Sequence, residues 1–191
     1  MLSKLFTSKV RVGILSLLLF NQDKDYHLRE IARLVNSLPG PVSRELDNLK
    51  LFNLIKVKTK GQLLIYSINQ ECIFLEDLKN IFIKTDYLGT LIKTELINKV
   101  KYCLIYGSFA KGTENSNSDI DILIISEMKE DMLLKIIKKI EDITKREINF
   151  VLWNENTFKT KAKSNHLLKT INQNNIIMLI GEEDEFRKQI K

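Results

Sequence analysis

One stretch, Tyr102 to Ile125, constrains the fold more than any other: it reads YCLIYGSFAKGTENSNSDIDILII. The apolar runs at its two ends, Tyr102 to Tyr106 and Ile120 to Ile125, have the β-branched and aromatic content of strands, and the polar segment between them is rich in loop formers. This predicts two buried strands flanking a mobile connection. Side chains alternate across a strand, so Asp119 and Asp121 point to one face while Ile120 and Ile122 point to the other. Two carboxylates held side by side are costly unless a cation lies between them. Hard oxygen ligands with no thiolate or imidazole nearby suit Mg²⁺ or Mn²⁺. Gly107 permits close backbone approach at the end of the first strand, where a backbone N–H and the Ser108 hydroxyl are suited to hold a phosphate.

The Gly-Ser pair, Gly112, Ser118 and both aspartates stand at the spacing of the nucleotidyltransferase superfamily that includes DNA polymerase beta. The segment resembles the minimal nucleotidyltransferase pattern GSxAxG, a short polar loop, then SDxD. The resemblance implies that Asp119 and Asp121 hold divalent metal ions bridging a nucleoside triphosphate, and that Gly107 and Ser108 contact its phosphates. It implies nucleotidyl transfer by a two-metal route. Lys111 adds a further phosphate contact in this reading, although a loop lysine is more often simply solvated.

A third carboxylate, on a later strand, usually completes the metal site of that family. Met132, Ile136, Ile137, Ile140 and Ile143 predict an amphipathic helix, and the next strand reads EINFVL from Glu147. The expected position is then Asn149, whose neutral carbonyl offers weaker ligation than an acid. Glu147, two residues earlier on the same face, is the alternative ligand. A strand-end charge paired with Lys145 or Arg146 is the commoner role for it.

The chain has 191 residues, 44% hydrophobic and 28% charged, which is enough to fill cores and fits two small domains. Its net charge of +6 is unevenly placed: residues 1–60 hold 11 Lys and Arg against 5 Asp and Glu, and the rest holds 19 of each. A basic excess confined to one part is the electrostatic footprint of nucleic-acid contact. Cys72 and Cys103 lack metal-ligand spacing and read as reduced core residues. His27 and His166 stand alone and read as surface or helix-end residues. The run Ile14 to Phe20 is too short to span a bilayer and no secretory signal pattern precedes it, which predicts a cytoplasmic protein without membrane partners.

In the basic part, Val10, Ile14, Leu17 and Leu18 recur at helical spacing, as do Leu28, Ile31, Ala32 and Val35. Turn chemistry from Asn36 to Gly40 leads to Pro41, suited to the first turn of a third helix whose buried side is Val42, Leu46 and Leu49. A strand from Leu54, a turn containing Gly61, and a strand from Leu63 to Ile68 follow. Three helices and a basic hairpin resemble the winged helix-turn-helix of small transcriptional regulators. The resemblance implies that the third helix enters the major groove of double-stranded DNA and the hairpin touches the backbone. Ser43, Arg44, Asn48 and Lys50 are then the groove contacts, and Lys58 and Lys60 the phosphate contacts. Arg44 is best suited to reading a base, since a guanidinium bonds two guanine acceptors at once. Such regulators commonly dimerise, and the apolar patterns at Phe74 to Ile83 and Leu88 to Ile97 offer surfaces for a homodimer.

The expected fold is therefore mixed α/β (α+β): a winged helix-turn-helix over residues 1–84, then a small mixed-sheet nucleotidyltransferase-like domain over 85–191. The acidic run Glu182 to Glu185 reads as a solvated tail. Two functions fit: a DNA-binding regulator whose second domain binds a nucleoside triphosphate with Mg²⁺, or an active nucleotidyltransferase modifying a protein or RNA acceptor, an antitoxin-like role included.

Overall fold

The computed structural model describes Leu2 and Phe6 to Lys191 except Lys163, with the side chains of Asp86 and Tyr87 left aside. The chain divides into two units, Met1–Thr85 and Asp86–Lys191.

The first unit places α1 (Lys9–Leu19), a short strand β1 (Tyr26–His27), α2 (Leu28–Leu34) and α3 (Pro39–Leu51) ahead of a hairpin of β2 (Ile55–Lys60) and β3 (Leu63–Ile68). The sheet is antiparallel in the order β1-β3-β2. Side chains start the first two helices: the Ser8 hydroxyl accepts from the Arg11 N–H, and His27 Nδ1 accepts from the Glu30 N–H. Asparagines follow the ends of α2 and α3. Asn36 (φ 50°) and Asn53 (φ 56°) take the left-handed conformation just past α2 and α3. The following N–H groups then reach back, Ser37 to the Ala32 carbonyl and Leu54 to the Leu49 carbonyl, closing Schellman motifs. The predicted Val42, Leu46 and Leu49 are the buried side of α3. That helix begins at Pro39, which has no N–H to leave unsatisfied at the first helical position, and Pro41 falls in its first turn as expected. α4 (Leu75–Phe82) closes the unit and runs into a π-helical turn, Ile83–Tyr87.

The second unit opens with α5 (Gly89–Leu96). Its sheet has the order β6-β5-β4-β7, formed by β4 (Tyr102–Tyr106), β5 (Ile120–Ile125), β6 (Ile148–Trp153) and β7 (Ile177–Ile180). β4 runs antiparallel to both β5 and β7, whereas β5 and β6 are parallel. A parallel pair needs a crossover, and α7 (Glu130–Thr144) supplies it. The helix was expected from Met132 to Ile143, but its buried stripe is Leu133, Ile137 and Ile140, while Met132 and Ile143 are more than half exposed. The apolar pattern was wider than the face the sheet can cover.

Between β4 and β5 the chain is not wholly loop: Gly107 to Lys111 forms α6, and Gly112 ends it in the left-handed region. α8 (Glu155–Lys161), α9 (His166–Gln173) and α10 (Glu183–Gln189) follow β6. The acidic run is no tail. It opens α10, where carboxylates in the first turn suit the helix dipole, and Phe186 and Ile190 bury behind it. Phe158 and Phe186 stack at 5.5 Å, with Tyr102 edge-on to Phe186 at 5.4 Å, in the core that one sheet face shares with Leu104, Leu123 and Leu168. Both cysteines are buried, and burial pushes the Cys103 thiol up to about 12, so it is protonated and unreactive.

Candidate active site

One acid of the site lies on a buried strand and the other just before it. From Ile120 to Ile125 every residue of β5 is buried except Asp121, which is half-exposed. A carboxylate is tolerated there only because it sits at the strand's start, where the sheet meets solvent. Asp119 precedes it and is exposed. The ladder then brings three elements to this end of the sheet. Antiparallel pairing sets Tyr106 opposite Asp121, which delivers Gly107 beside it; parallel pairing sets Asn149 opposite Asp121 on the other side.

Gly107 has φ +75°, and a Cβ there would lie 2.3 Å from Asp121 Oδ2. No side chain fits. The glycine is required both by its left-handed backbone and by the carboxylate that occupies the space a Cβ would take. Ser108, the next residue of α6, is half-buried, and Lys111 at its end is exposed. The structure thus brings Gly107, Asp119, Asp121 and Asn149 together, with Ser108 adjoining and Lys111 at the far end of a helix of five residues.

The Asn149 amide nitrogen donates to Asp119 Oδ2 at 3.2 Å. Burial, and then the charge of Asp119, raise Asp121 above the ordinary carboxylate value, while hydrogen bonding from Asn149 opposes the shift. The Tyr106 phenol is raised in turn, by burial first and by Asp121 second. Two carboxylates in mutual repulsion, beside an amide able to present its oxygen by rotation, form a hard-oxygen donor set that fits a divalent cation such as Mg²⁺. Among the described residues no group of three or more His, Cys, Asp and Glu gathers at one place. The position where a third acid was sought is held by Asn149.

Arg146 was considered in the sequence only as a partner for Glu147. Its guanidinium instead donates to the carbonyls of Asn115 (2.9 Å) and Ser118 (2.8 Å) and lies over the Phe109 ring at 5.0 Å. It latches the loop that delivers Asp119 onto α6. The only signal in the sequence is positional: an arginine just before β6, which parallel register carries alongside Ser118. The loop also folds on itself, with Asn115 Oδ1 accepting from the Asn117 N–H at 2.9 Å and Ser118 Oγ from the Asn115 N–H at 2.9 Å.

In the first unit Arg44, Lys50, Lys58 and Lys60 are exposed and Ser43 is half-buried. Lys56, Lys58 and Lys60 share one face of the hairpin, where Lys56 pairs with Glu71 at 2.8 Å. Asn48 lies further in than the others: it is half-buried and donates to Glu45 (3.4 Å), which also accepts from Arg11 (2.8 Å).

Residues 90–178 match the protein-family model described as polymerase beta, nucleotidyltransferase, so the second unit contains a polymerase beta-like nucleotidyltransferase domain. No curated protein matches the chain. Among solved structures, the chain is similar to one described as a toxin-antitoxin with AMP-PNP, at 18% identity and TM-score 0.42, covering 54% of this chain and 81% of that one. It is also similar to a tri-AMPylated Shewanella oneidensis HEPN toxin in complex with MNT antitoxin, at 14% identity and TM-score 0.38, covering 60% and 80%. A third is reduced HlyU from Vibrio cholerae, at 16% identity and TM-score 0.36, covering 44% and 84%. No helix of the described residues is long and apolar enough to cross a membrane.

Proposed function

We propose that the second unit binds a nucleoside triphosphate with Mg²⁺ and transfers a nucleotidyl group to a hydroxyl of a protein or RNA acceptor, a reading that includes an antitoxin-like role. The observation that supports it best is the packing of Gly107 against Asp121, with Asp119 and Asn149 beside them. That arrangement sets a bare backbone, suited to triphosphate oxygens, directly against a carboxylate pair that needs a cation. Asp119, Asp121 and the Asn149 carbonyl oxygen would hold Mg²⁺ or Mn²⁺. The ion would supply charge neutralisation at the phosphates. Gly107, Ser108 and Lys111 would orient the triphosphate. In the transfer, the acceptor hydroxyl oxygen bonds to the α-phosphorus and the bond from that phosphorus to the bridging oxygen breaks. Pyrophosphate leaves with the electron pair, and the hydroxyl proton passes to the carboxylate pair.

The test uses purified chain with each of four α-³²P-labelled triphosphates and Mg²⁺, offered total protein and total RNA from the host. Label is expected in one of those pools with wild type and not with Asp121→Asn. Absence of both transfer and Mg²⁺-dependent triphosphate binding would refute the reading.

A second reading is favoured by the basic excess of residues 1–60 and by the exposed Arg44, Lys50, Lys58 and Lys60: the first unit acts as a winged helix on double-stranded DNA. Arg44→Ala should then cost about 1 to 3 kcal/mol at one base position. Lys60→Ala should weaken all sequences alike and flatten the salt dependence. Equal affinity of all three proteins for every duplex would remove it.

A further inference from the structure

The outer edge of β6 lies beside the carboxylates, and among the described residues no strand pairs with it. The ladder tells which of its groups face outward. The Ile120 N–H donates to the Glu147 carbonyl and the Ser126 N–H to the Trp153 carbonyl, each at 2.9 Å. In a parallel pair such bonds engage alternate residues, so Glu147, Asn149, Val151 and Trp153 bond inward to β5. The backbones of Ile148, Phe150 and Leu152 therefore point away from the sheet. Glu141 Oε1 accepts the first of these N–H groups, that of Ile148, at 2.8 Å. Beyond it the edge borders a groove of about 440 Å³ lined by Leu134, Lys135, Ile137, Lys138, Glu141 itself, Ile148 and Phe150.

We infer that this edge takes an extended polypeptide segment as a further strand, and that the segment is the acceptor for the transfer proposed above, on which this part of the inference rests. Alternation sorts its side chains. Those on the α7 side enter the groove that Lys135 and Lys138 line, where two positive charges outnumber the one carboxylate of Glu141, already bonded to the Ile148 N–H, which favours acidic residues there. Those on the other side line up with Asn149, which favours a hydroxyl residue next to Asp119 and Asp121. A second copy of this chain fits less well, because symmetric pairing of the two edges would bring the lysines of both copies together. RNA would meet the lysines but leave the outward N–H and carbonyl pattern unused.

The probe is a fluorescent peptide of five Glu-Thr repeats, bound to the full chain in the presence of Mg²⁺ and triphosphate. It is expected to bind at least about tenfold tighter than five Lys-Thr repeats or a block of five Glu followed by five Thr. Leu152→Pro removes an outward N–H where an edge strand tolerates proline, and it should lose that preference. The charge reversal Lys135→Glu with Lys138→Glu should invert it even if the proline variant fails to fold. Mg²⁺-dependent triphosphate binding should be unchanged in the reversal. Equal binding of the three peptides overturns the inference, as does an unaltered preference in the reversal. So does a dimer of the full chain that Leu152→Pro dissociates, or an RNA that binds this edge and that the Glu-Thr peptide does not displace. Peptide preference without triphosphate binding would sink the transferase reading and leave the strand-addition site standing.

Discussion

Replacing Gly107 by alanine tests the geometry on which the active-site reading depends. The new Cβ meets two separate penalties. A left-handed backbone at φ +75° costs an L-residue about 1–2 kcal/mol. The Cβ would also stand 2.3 Å from Asp121 Oδ2, so the carboxylate must leave its rotamer, at about 0.5–1.5 kcal/mol. The sum is about 1.5–3.5 kcal/mol. In an Asp121→Ala background the second penalty vanishes, because the remaining Asp121 Cβ lies at 3.5 Å, an ordinary contact. Gly107→Ala should then cost only the backbone part, leaving a coupling of about 1 kcal/mol between the two positions. Urea unfolding followed by fluorescence measures this. Trp153, the chain's one tryptophan, lies on β6, so the signal reports the second unit. At about 2 kcal/mol per molar urea, Gly107→Ala alone should lower the midpoint by about 1–2 M. Coupling smaller than about 0.5 kcal/mol would show that the carboxylate does not fill the space beside the glycine, and the phosphate-and-metal reading would lose its main support.

Arg146→Ala removes two hydrogen bonds from a charged donor and a contact over Phe109, and should cost about 2–3 kcal/mol in the same unfolding assay with weaker triphosphate binding. Arg146→Lys should recover little of this, since an ammonium cannot both lie flat on the ring and bond two carbonyls. Asp121 is raised in the fold, so its contribution to stability is full below its unfolded pKa and lost as pH rises through the folded value. Without divalent metal, Asp121→Asn should therefore gain on the wild type as pH rises through the carboxylate range, and Mg²⁺ should erase the gain; a pH-independent difference would contradict the assigned repulsion. Asn149→Asp should raise Mg²⁺ affinity about tenfold by calorimetry and lower metal-free stability; unchanged affinity would place the ion elsewhere.

The strands were readable because their apolar runs match the sheet's burial almost residue for residue: Ile120 to Ile125 is the observed β5, and Tyr102 to Tyr106 the observed β4. The closeness of Asp119 and Asp121 is what a period of two leads one to expect, and the register sets Asn149 opposite Asp121. Other features depended on tertiary contacts that no local pattern records. Met132 and Ile143 satisfy helical spacing, yet the sheet covers only the stripe through Leu133, Ile137 and Ile140. Glu182 to Glu185 looks like solvated sequence until Phe186 is seen inserted beside Phe158 and Tyr102, an association between residues 84 positions apart at its widest. Arg146 was invisible for the same reason: its partners are main-chain carbonyls, which have no signature in a sequence.

The Gly-Ser to Asp-x-Asp spacing has a physical origin in this ladder. Tyr106 opposite Asp121 fixes the last residue of β4 against the second residue of β5, so the residue after Tyr106 must pass the Asp121 carboxylate whatever the length of the connection. A glycine is demanded at that one place, and α6 starts there because the chain has to turn off the sheet edge-on to the carboxylate. The intervening residues answer to a different constraint. They need only return the chain to β5, and Arg146, Asn115 and Ser118 hold that return path by bonds to backbone and short polar side chains. The glycine and the aspartates are thus tied to each other by pairing across the sheet, and the loop between them is tied to the strand that follows. Substitution at Asn115 to Ser118 would act on the positioning of Asp119, whereas substitution at Gly107 acts on Asp121 directly. The two carboxylates, separated in sequence only by Ile120, are held in place by separate parts of the fold.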